Sequence, residues 1–585
     1  MSIKPGKQSI PWSLGALVAV AGIVLLRLVI WKFFRDAGTM VKEDLSNLIV
    51  AVCQLALGAA FAALAMLKRV KLSATGFEWP LGILVVVSMV SLFYTLDFSV
   101  SIRVWLPLIG SMGMFYVLAN TLTDIRRIKW FLYFILACAL VTSVFGIQEF
   151  FYLCSRHPQA GDANIAEYNN SLYYILVNRR VTSFLGWPNS LAGYLLLILP
   201  FAGLSIMASG RIWLRCLLGV VFAVLVGCLL VTFSFLGWLN FLVAAVILSP
   251  LIIRRFVPRM DVRLKAALVV LCAVFIGLFI VVILRKNFSG SIVPRLEYYS
   301  QAWHLILERP FQGYGYGTFG FAARPMVESI NAFTNYAHNV YLQWWVECGV
   351  LGLAGILGLI GVFIVAARRV LEHFREGAES VVALAVIWGL TAFFIDNFFS
   401  FTFTKPNIAV HGWAMLGVFA ALYQQAQGGG KELPGGRFVP AFGFLICAGT
   451  FILSFVLCTG IFFFHFGVLA LNRGNVDAAG QSFVTGSLID RWSASYPLAA
   501  GDAAAGVFAS SRKEAHLRLV EANYLEAARR EPVLYNAQLM LSRVYLLRGD
   551  REKALSYARE ARRLSPFEYD RDMARISRVS APSAK

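Results

Sequence analysis

Trp12 to Phe34 read W-S-L-G-A-L-V-A-V-A-G-I-V-L-L-R-L-V-I-W-K-F-F, an apolar run that carries charge only at Arg27 and Lys32. About 20 apolar residues suffice to cross a bilayer core as a helix. This run is too long for the apolar core of a signal peptide, and no A-x-A cleavage pattern follows it, so it reads as a retained span. Outward from it the same pattern recurs at 45–67, 79–96, 103–122, 129–151, 188–208, 212–232, 235–253, 264–284, 339–367, 379–399, 407–425 and 438–464. About thirteen spans are therefore expected, and the expected fold class is an all-α polytopic membrane protein.

Composition agrees with that reading. Apolar residues make up 59% of the 585 and charged residues 14%, against roughly 25% charged in ordinary globular chains. So few polar side chains cannot clothe a water-facing surface, which excludes a soluble protein; most of the surface must meet membrane lipids. The net charge of +20 is a topology signal and not a nucleic-acid signal, because Lys and Arg accumulate in cytoplasmic loops. The nine cysteines show no C-x-x-C spacing and no disulfide framework.

The same bias orients the spans. With the N-terminus inside, the inner loops collect Lys4 and Lys7, then Lys68, Arg69 and Lys71, then Arg126, Arg127 and Lys129. Arg211 and Arg215, the run Arg254, Arg255, Arg259, Arg263 and Lys265, and Arg368, Arg369 and Arg375 follow on the same side. The short outer loops hold little beyond Arg35, Lys42, Arg103 and Lys405. Two long non-apolar stretches, about 152–187 and 285–338, then fall outside, as does everything after Phe464. The expected division is a membrane domain over 1–464 and an extracytoplasmic helical domain over 465–585.

The tail is charged and rich in Ala, Arg, Glu and Leu. Pro532 and Pro566 are 34 residues apart, with Leu541, Ser542, Tyr545, Ala554 and Ala561 between them. Leu546-Leu-Arg-Gly-Asp-Arg-Glu-Lys-Ala554 echoes Leu471-Asn-Arg-Gly-Asn-Val-Asp-Ala-Ala479. The tail resembles about three tetratricopeptide units, in which small residues let paired helices touch. A protein partner docking there is one expectation.

The outer stretch is the most decorated. It holds Arg295, Trp303 and Pro310, then Gly313-Tyr-Gly-Tyr-Gly-Thr-Phe-Gly320, and ends at His338-Asn339. Gly315, Gly317 and Gly320 fit G-x-G-x-x-G, but the flanks are helical and no βαβ unit surrounds them, so a tight turn is the better reading.

The string His338-Asn339-x-x-Leu342-x-x-x-x-Glu347-x-Gly349-x-x-Gly352-Leu353 resembles the signature of the O-antigen ligase and polymerase superfamily. So do Arg295…Trp303…Pro310-x-x-Gly313-x-Gly315-x-Gly317 and Arg180-Val-Thr-Ser-Phe184-Leu-Gly-Trp-Pro188-Asn189. The resemblance covers about 180–425, with an outer catalytic loop at 285–338. It implies a fold related to lipid-dependent glycosyltransferases of the GT-C type. It also implies transfer of an undecaprenyl-diphosphate-linked glycan to an acceptor hydroxyl at the outer face of a bacterial cytoplasmic (inner) membrane. The acceptor would be a growing glycan, lipid A core, or protein, the last making the chain a protein O-oligosaccharyltransferase. One departure stands out: where family members often carry Ser-Arg-Gly, this chain has Ser234-Phe235-Leu236-Gly237. A non-catalytic assembly scaffold and a lipid-linked glycan flippase are the alternatives.

The chemistry follows from the donor. A glycan on lipid diphosphate has a good leaving group, so it needs charge stabilisation more than protonation, and the planar guanidinium fork binds two phosphate oxygens at once. Arg180 and Arg295 flank the expected site, with Arg179, Arg285 and Lys286 near them in sequence. An acceptor hydroxyl benefits from a general base, and His338 is the base the resemblance implies. A helix N-terminus next to it disfavours imidazolium. Asn339 suits an N-cap there. Asn189, Asn339 and Glu347 are the expected supporting residues. Nine residues place Glu347 on the face opposite His338 if the helix runs through both, so it is expected to hold an arginine or a tether.

Gly349, Gly352, Gly355, Gly358 and Gly361 recur every third residue, as where a neighbouring helix packs closely. Asp396 and Asn397 read as helix-end caps, and Arg27 as a paired or snorkelling residue. The seven histidines form no H-E-x-x-H, so no metal site and no cofactor are expected.

Overall fold

The computed structural model describes residues 10–33, 39–155, 180–256, 289–328 and 333–580, with the single positions 270 and 277. The rest of the predicted span 264–284 lies outside the described residues, as do Arg179, Arg285 and Lys286. Among the described residues every extended element is helical, and the one β contact is an isolated bridge between Ser73 and Glu432.

Among the described residues ten helices are long and apolar enough to cross a membrane. They are α1 (Ile10–Phe33), α2 (Thr39–Met66), α4 (Phe98–Thr121), α5 (Ile125–Ser155), α6 (Pro188–Ala208), α7 (Ile212–Val231), α8 (Phe235–Phe256), α11 (Val340–His373), α12 (Gly377–Asp396) and α14 (Phe438–Asn472). The chain is thus an all-helical, multi-pass membrane protein.

Two expected spans differ. The one at 79–96 is α3 (Glu78–Ser91), 14 residues and so about 21 Å long, short of a hydrocarbon core of roughly 30 Å. The one at 407–425 is α13 (Pro406–Ala426), whose Asn407, His411, Gln424 and Gln425 dilute its hydropathy. It tolerates them because protein encloses it: its residues from Asn407 to Gln424 are all buried, against α4, α12, α11 and α6.

The helices run alternately up and down. One end of the bundle collects Lys68 after α2, Arg127 in the first turn of α5, Arg215 in the first turn of α7 and Arg369 near the end of α11. The other end collects the starts of α2, α4, α6, α8, α11 and α13 and the end of α12, and the site is built there. The non-apolar stretch 285–338 contains α9 (Ser289–Glu308) and the short α10 (Phe319–Ala323), which flank the glycine turn.

α14 is 35 residues long, about 52 Å at 1.5 Å per residue, and residue 464 lies within it. Its last turns pack on α15 (Val476–Ile489), and α16 (Ser495–Ser511), α17 (Glu514–Arg530), α18 (Tyr535–Leu547), α19 (Arg551–Leu564) and α20 (Pro566–Ser580) stack on in sequence order. The echoed phrases are equivalent turns. Gly474 and Gly549 adopt φ of +76° and +79°. Asn475 caps α15 through Ala478 N at 3.0 Å, and Asp550 caps α19 through Lys553 N at 3.1 Å.

This helical stack is clasped to the bundle. Arg103, in the second turn of α4, forms a buried ion pair with Asp490 and faces Asp44 at 3.9 Å. The Phe98 and Trp492 rings meet edge to face at 5.4 Å. Arg324 reaches Glu568 of α20 at 4.0 Å. Such a buried pair is worth little net but binds its partners to one arrangement, because removing either leaves a buried charge.

Candidate functional site

His338 precedes α11 in the left-handed region, φ +52°, which a non-glycine residue holds only where its surroundings over-determine it. They do. Asn339 caps α11, its Oδ1 accepting from Tyr341 N at 3.0 Å and Leu342 N at 3.1 Å. Val340 N donates to Asn397 O at 2.9 Å. From α9, the Tyr299 hydroxyl donates to Phe398 O at 2.9 Å and lies 3.3 Å from His338 O. The backbone is pinned from α9 and from the α12–α13 loop together.

The imidazole is walled by rings. Tyr298 stacks on it at 5.2 Å, and Phe401 meets it edge-on at 4.7 Å. Tyr336 stacks on the other part of the wall, 4.5 Å from Phe401. His338 Nδ1 is enclosed and has no hydrogen-bond partner among the described residues. Burial, then the positive charges of Arg295 and Lys405, hold the imidazole down at about 3, so it stays unprotonated at neutral pH. The helix N-terminus that the sequence points to is not the chief cause.

Arg295 sits in α9, buried, with Nε donating to Phe399 O at 3.1 Å. Its charge is felt by Tyr298, Tyr299 and Asp396. Asp396, at the end of α12, accepts from Asn240 Nδ2 at 2.9 Å and lies 3.3 Å from the Thr402 hydroxyl. The same hydroxyl and Phe403 N donate to Asn397 Oδ1 at 3.1 and 2.9 Å. Asp396 and Asn397 thus tie α8, α12 and the α12–α13 loop together, more than the capping read from sequence.

Arg180 lies in the segment before α6, eight residues ahead of Pro188. It donates from Nη2 to Asn189 Oδ1 at 2.6 Å and from Nε to Thr232 O at 2.9 Å. That carbonyl closes α7, two residues before Ser234-Phe235. The guanidinium is therefore held at the turn where the family's Ser-Arg-Gly arginine is absent.

Lys405 joins the two groups. Its ammonium sits over Trp187 at 4.7 Å, two residues from Asn189, and near Phe401 at 5.7 Å and Tyr336 at 5.8 Å. The structure therefore gathers His338, Arg295 and Lys405, with Arg180 and Asn189 connected through Trp187. Sequence reasoning left Lys405 as one cation of a short outer loop, and missed Tyr298 and Glu43. A signal existed: Lys405-Pro406-Asn407 repeats the pattern of Trp187-Pro188-Asn189, an aromatic or cationic residue before a Pro-Asn helix start. The two starts are neighbours, Asn407 Nδ2 donating to Leu185 O at 2.8 Å.

Among the described residues Glu347 does not meet His338 and pairs with no arginine. It is fully buried, its Oε1 accepting from Gln343 Nε2 at 3.0 Å and Phe319 N at 3.3 Å. It anchors the glycine loop, whose Tyr314 N and Gly315 N donate to Val346 O and Glu347 O at 3.0 and 2.9 Å. α11 opens there: Gly349 has φ +67°, and a Cβ on it would lie 1.9 Å from Phe311 O. The triplet glycines divide accordingly. Gly355 and Gly358 lie against Leu84 and Trp79 of α3, as packing predicts, whereas nothing lies within 4 Å of a Cβ on Gly361.

Arg27, buried in α1, donates to the Ser46 hydroxyl at 3.3 Å. Among the described residues no three His, Cys, Asp or Glu side chains gather as metal ligands.

Residues 218–357 match the family model described as O-antigen ligase. The match covers about a quarter of the chain and runs from α7 into α11. It contains Arg295, His338, Asn339 and Glu347, while Arg180 and Asn189 precede it. No curated protein matches the chain. A multi-pass helical protein with an O-antigen-ligase-like segment supports, in general terms, transfer of a lipid-linked glycan.

Proposed function

We propose that the protein transfers a glycan from undecaprenyl diphosphate to an acceptor hydroxyl at the outer face of the bacterial cytoplasmic membrane. The observation that carries this reading is His338: a buried imidazole whose Nδ1 has no partner among the described residues, held in a strained backbone between ring walls with Arg295 and Lys405 acting on it. A base must be neutral to take a proton; burial chiefly keeps it so, and the cations that add to that effect are the groups a diphosphate needs.

The acceptor oxygen attacks the anomeric carbon as its proton passes to His338. The bond from that carbon to the diphosphate oxygen breaks, and the negative charge on the departing undecaprenyl diphosphate is met by Arg295 and Arg180. Attack opposite the leaving group inverts the anomeric configuration. Asn189 holds the Arg180 fork, Asn339 fixes the backbone of the base, and Glu347 fixes the glycine loop beneath it. No step calls on a metal, so transfer continues in the presence of EDTA.

The basic loops mark the cytoplasmic side, which puts the helical tail and His338 outside together. The tail is of tetratricopeptide type and presents an acceptor or docks a partner protein. The test uses the full-length protein in nanodiscs with undecaprenyl-diphosphate oligosaccharide and three acceptors: the same glycan, lipid A core, and an unfolded protein. One acceptor gains an inverted linkage as undecaprenyl diphosphate appears. His338→Ala lowers the rate about 10²- to 10⁴-fold; an unchanged rate overturns the assignment of the base.

A further inference from the structure

Lys405 is 2% exposed. A buried ammonium demands compensation, and among the described residues it receives one carboxylate, Glu43 Oε1 at 3.1 Å. That carboxylate is shared, since Arg27 also lies within its field. Asp44, the next residue, is engaged by Arg103. The ammonium otherwise rests on the faces of Trp187, Tyr336 and Phe401. Two of these rings belong to the wall of His338, and the third adjoins the Arg180–Asn189 pair. Lys405 therefore touches both the ring wall of His338, which also feels Arg295, and the Trp187 turn that leads to Asn189, the partner of Arg180. Its short reach and rotatable donors suit a point contact with a phosphate oxygen.

We infer that Lys405 is a third donor-binding cation, parked on Glu43 when the site is empty and turned to the diphosphate when the donor arrives. It supplies the positive charge that Phe235 does not. This inference rests on the proposed function and adds a binding residue to it.

The test measures binding of undecaprenyl diphosphate, and separately of neutral undecaprenol, to the full-length protein in nanodiscs. Lys405→Met is expected to weaken diphosphate binding about tenfold or more and to leave undecaprenol binding unchanged, while Lys405→Arg restores most of the affinity. Glu43→Gln frees the ammonium and tightens diphosphate binding. Because Lys405→Met leaves the half-buried Glu43 carboxylate without its cation, the double variant Glu43→Gln/Lys405→Met is measured alongside and must show the same diphosphate loss. Equal losses for both lipids, or wild-type diphosphate affinity in Lys405→Met while Arg180→Ala and Arg295→Ala lose it, overturn the role of Lys405 alone. Wild-type affinity in all three variants overturns the donor site itself.

Discussion

Tyr298 lies almost flat against His338, the two ring planes 22° apart. Stacking of this kind shields one face of the imidazole from water, and the charges of Arg295 and Lys405 do the rest.

The pH profile follows from that environment. The histidine sits at about 3 in the folded protein, below its ordinary 6.5 or so. It therefore remains a base across the neutral and mildly acidic range, and the transfer rate should show no His338-dependent acid limb near 6.5. The folded state also binds fewer protons here than the unfolded one, so the stability this group contributes is present above 6.5 and is lost as pH falls toward 3. Rate against pH on wild type and His338→Gln checks this; a limb near 6.5 that vanishes in the variant would refute it.

Asn189 acts through Arg180. Removing its carbonyl leaves the guanidinium one hydrogen bond short at 2.6 Å, and hydrogen bonds to charged groups are worth about 1.5–3 kcal/mol. Asn189→Ala should raise the donor KM about tenfold with a smaller change in kcat. Steady-state kinetics with varied donor decide it, and an effect confined to kcat would show that Asn189 does something else.

Gly349 tests the architecture beneath the site. A methyl group there meets Phe311 O at 1.9 Å in a left-handed backbone, and strain with a clash of that kind costs about 3 kcal/mol or more. Gly349→Ala should lower the thermal midpoint in detergent strongly. Gly361→Ala, in open space within the same helix, should leave it unchanged or raise it slightly.

The clasp between tail and bundle carries its own pH dependence. Glu531 accepts from Ala494 N at 2.8 Å, and burial, then the nearby Asp97, push its carboxyl up to about 8. The folded state thus holds a proton that the unfolded state releases near 4.5. The associated stability is complete below 4.5 and is lost as pH rises through 8. Hydrogen exchange around 490–498 should accelerate between pH 7 and pH 9 beyond the intrinsic rate. Glu531→Gln should abolish the excess, and an excess that persists in the variant would assign it elsewhere.

Most of the bundle is legible in the sequence because lipid imposes a single rule: spans of fixed length that satisfy their own backbone. The rule fails where protein replaces lipid as the surroundings. α13 carries Asn407 and His411 because neighbouring helices enclose it, and α3 is short because the glycine loop, with Tyr316 N donating to Ser91 Oγ at 3.0 Å, meets its end. Arg295 and His338 stand out as polar residues in recognisable strings. Lys405 does not, since its meaning comes from Trp187 and Tyr336, which only the folded chain brings near. Glu347 stands out as a carboxylate inside a span, but besides Gln343 one turn away it holds the backbone amide of Phe319, and no sequence pattern specifies that.

α14 gives the tail no slack. A rod of about 52 Å outreaches a bilayer core of roughly 30 Å and continues unbroken into the first hairpin, so the tail rides on a mast rather than a tether. If the tail presents the acceptor as proposed, cargo on the stacked hairpins meets the site at one height and one bearing instead of sampling a sphere. A flexible Gly-Ser insertion after Asn472, by softening the mast, should then broaden the range of acceptor lengths used.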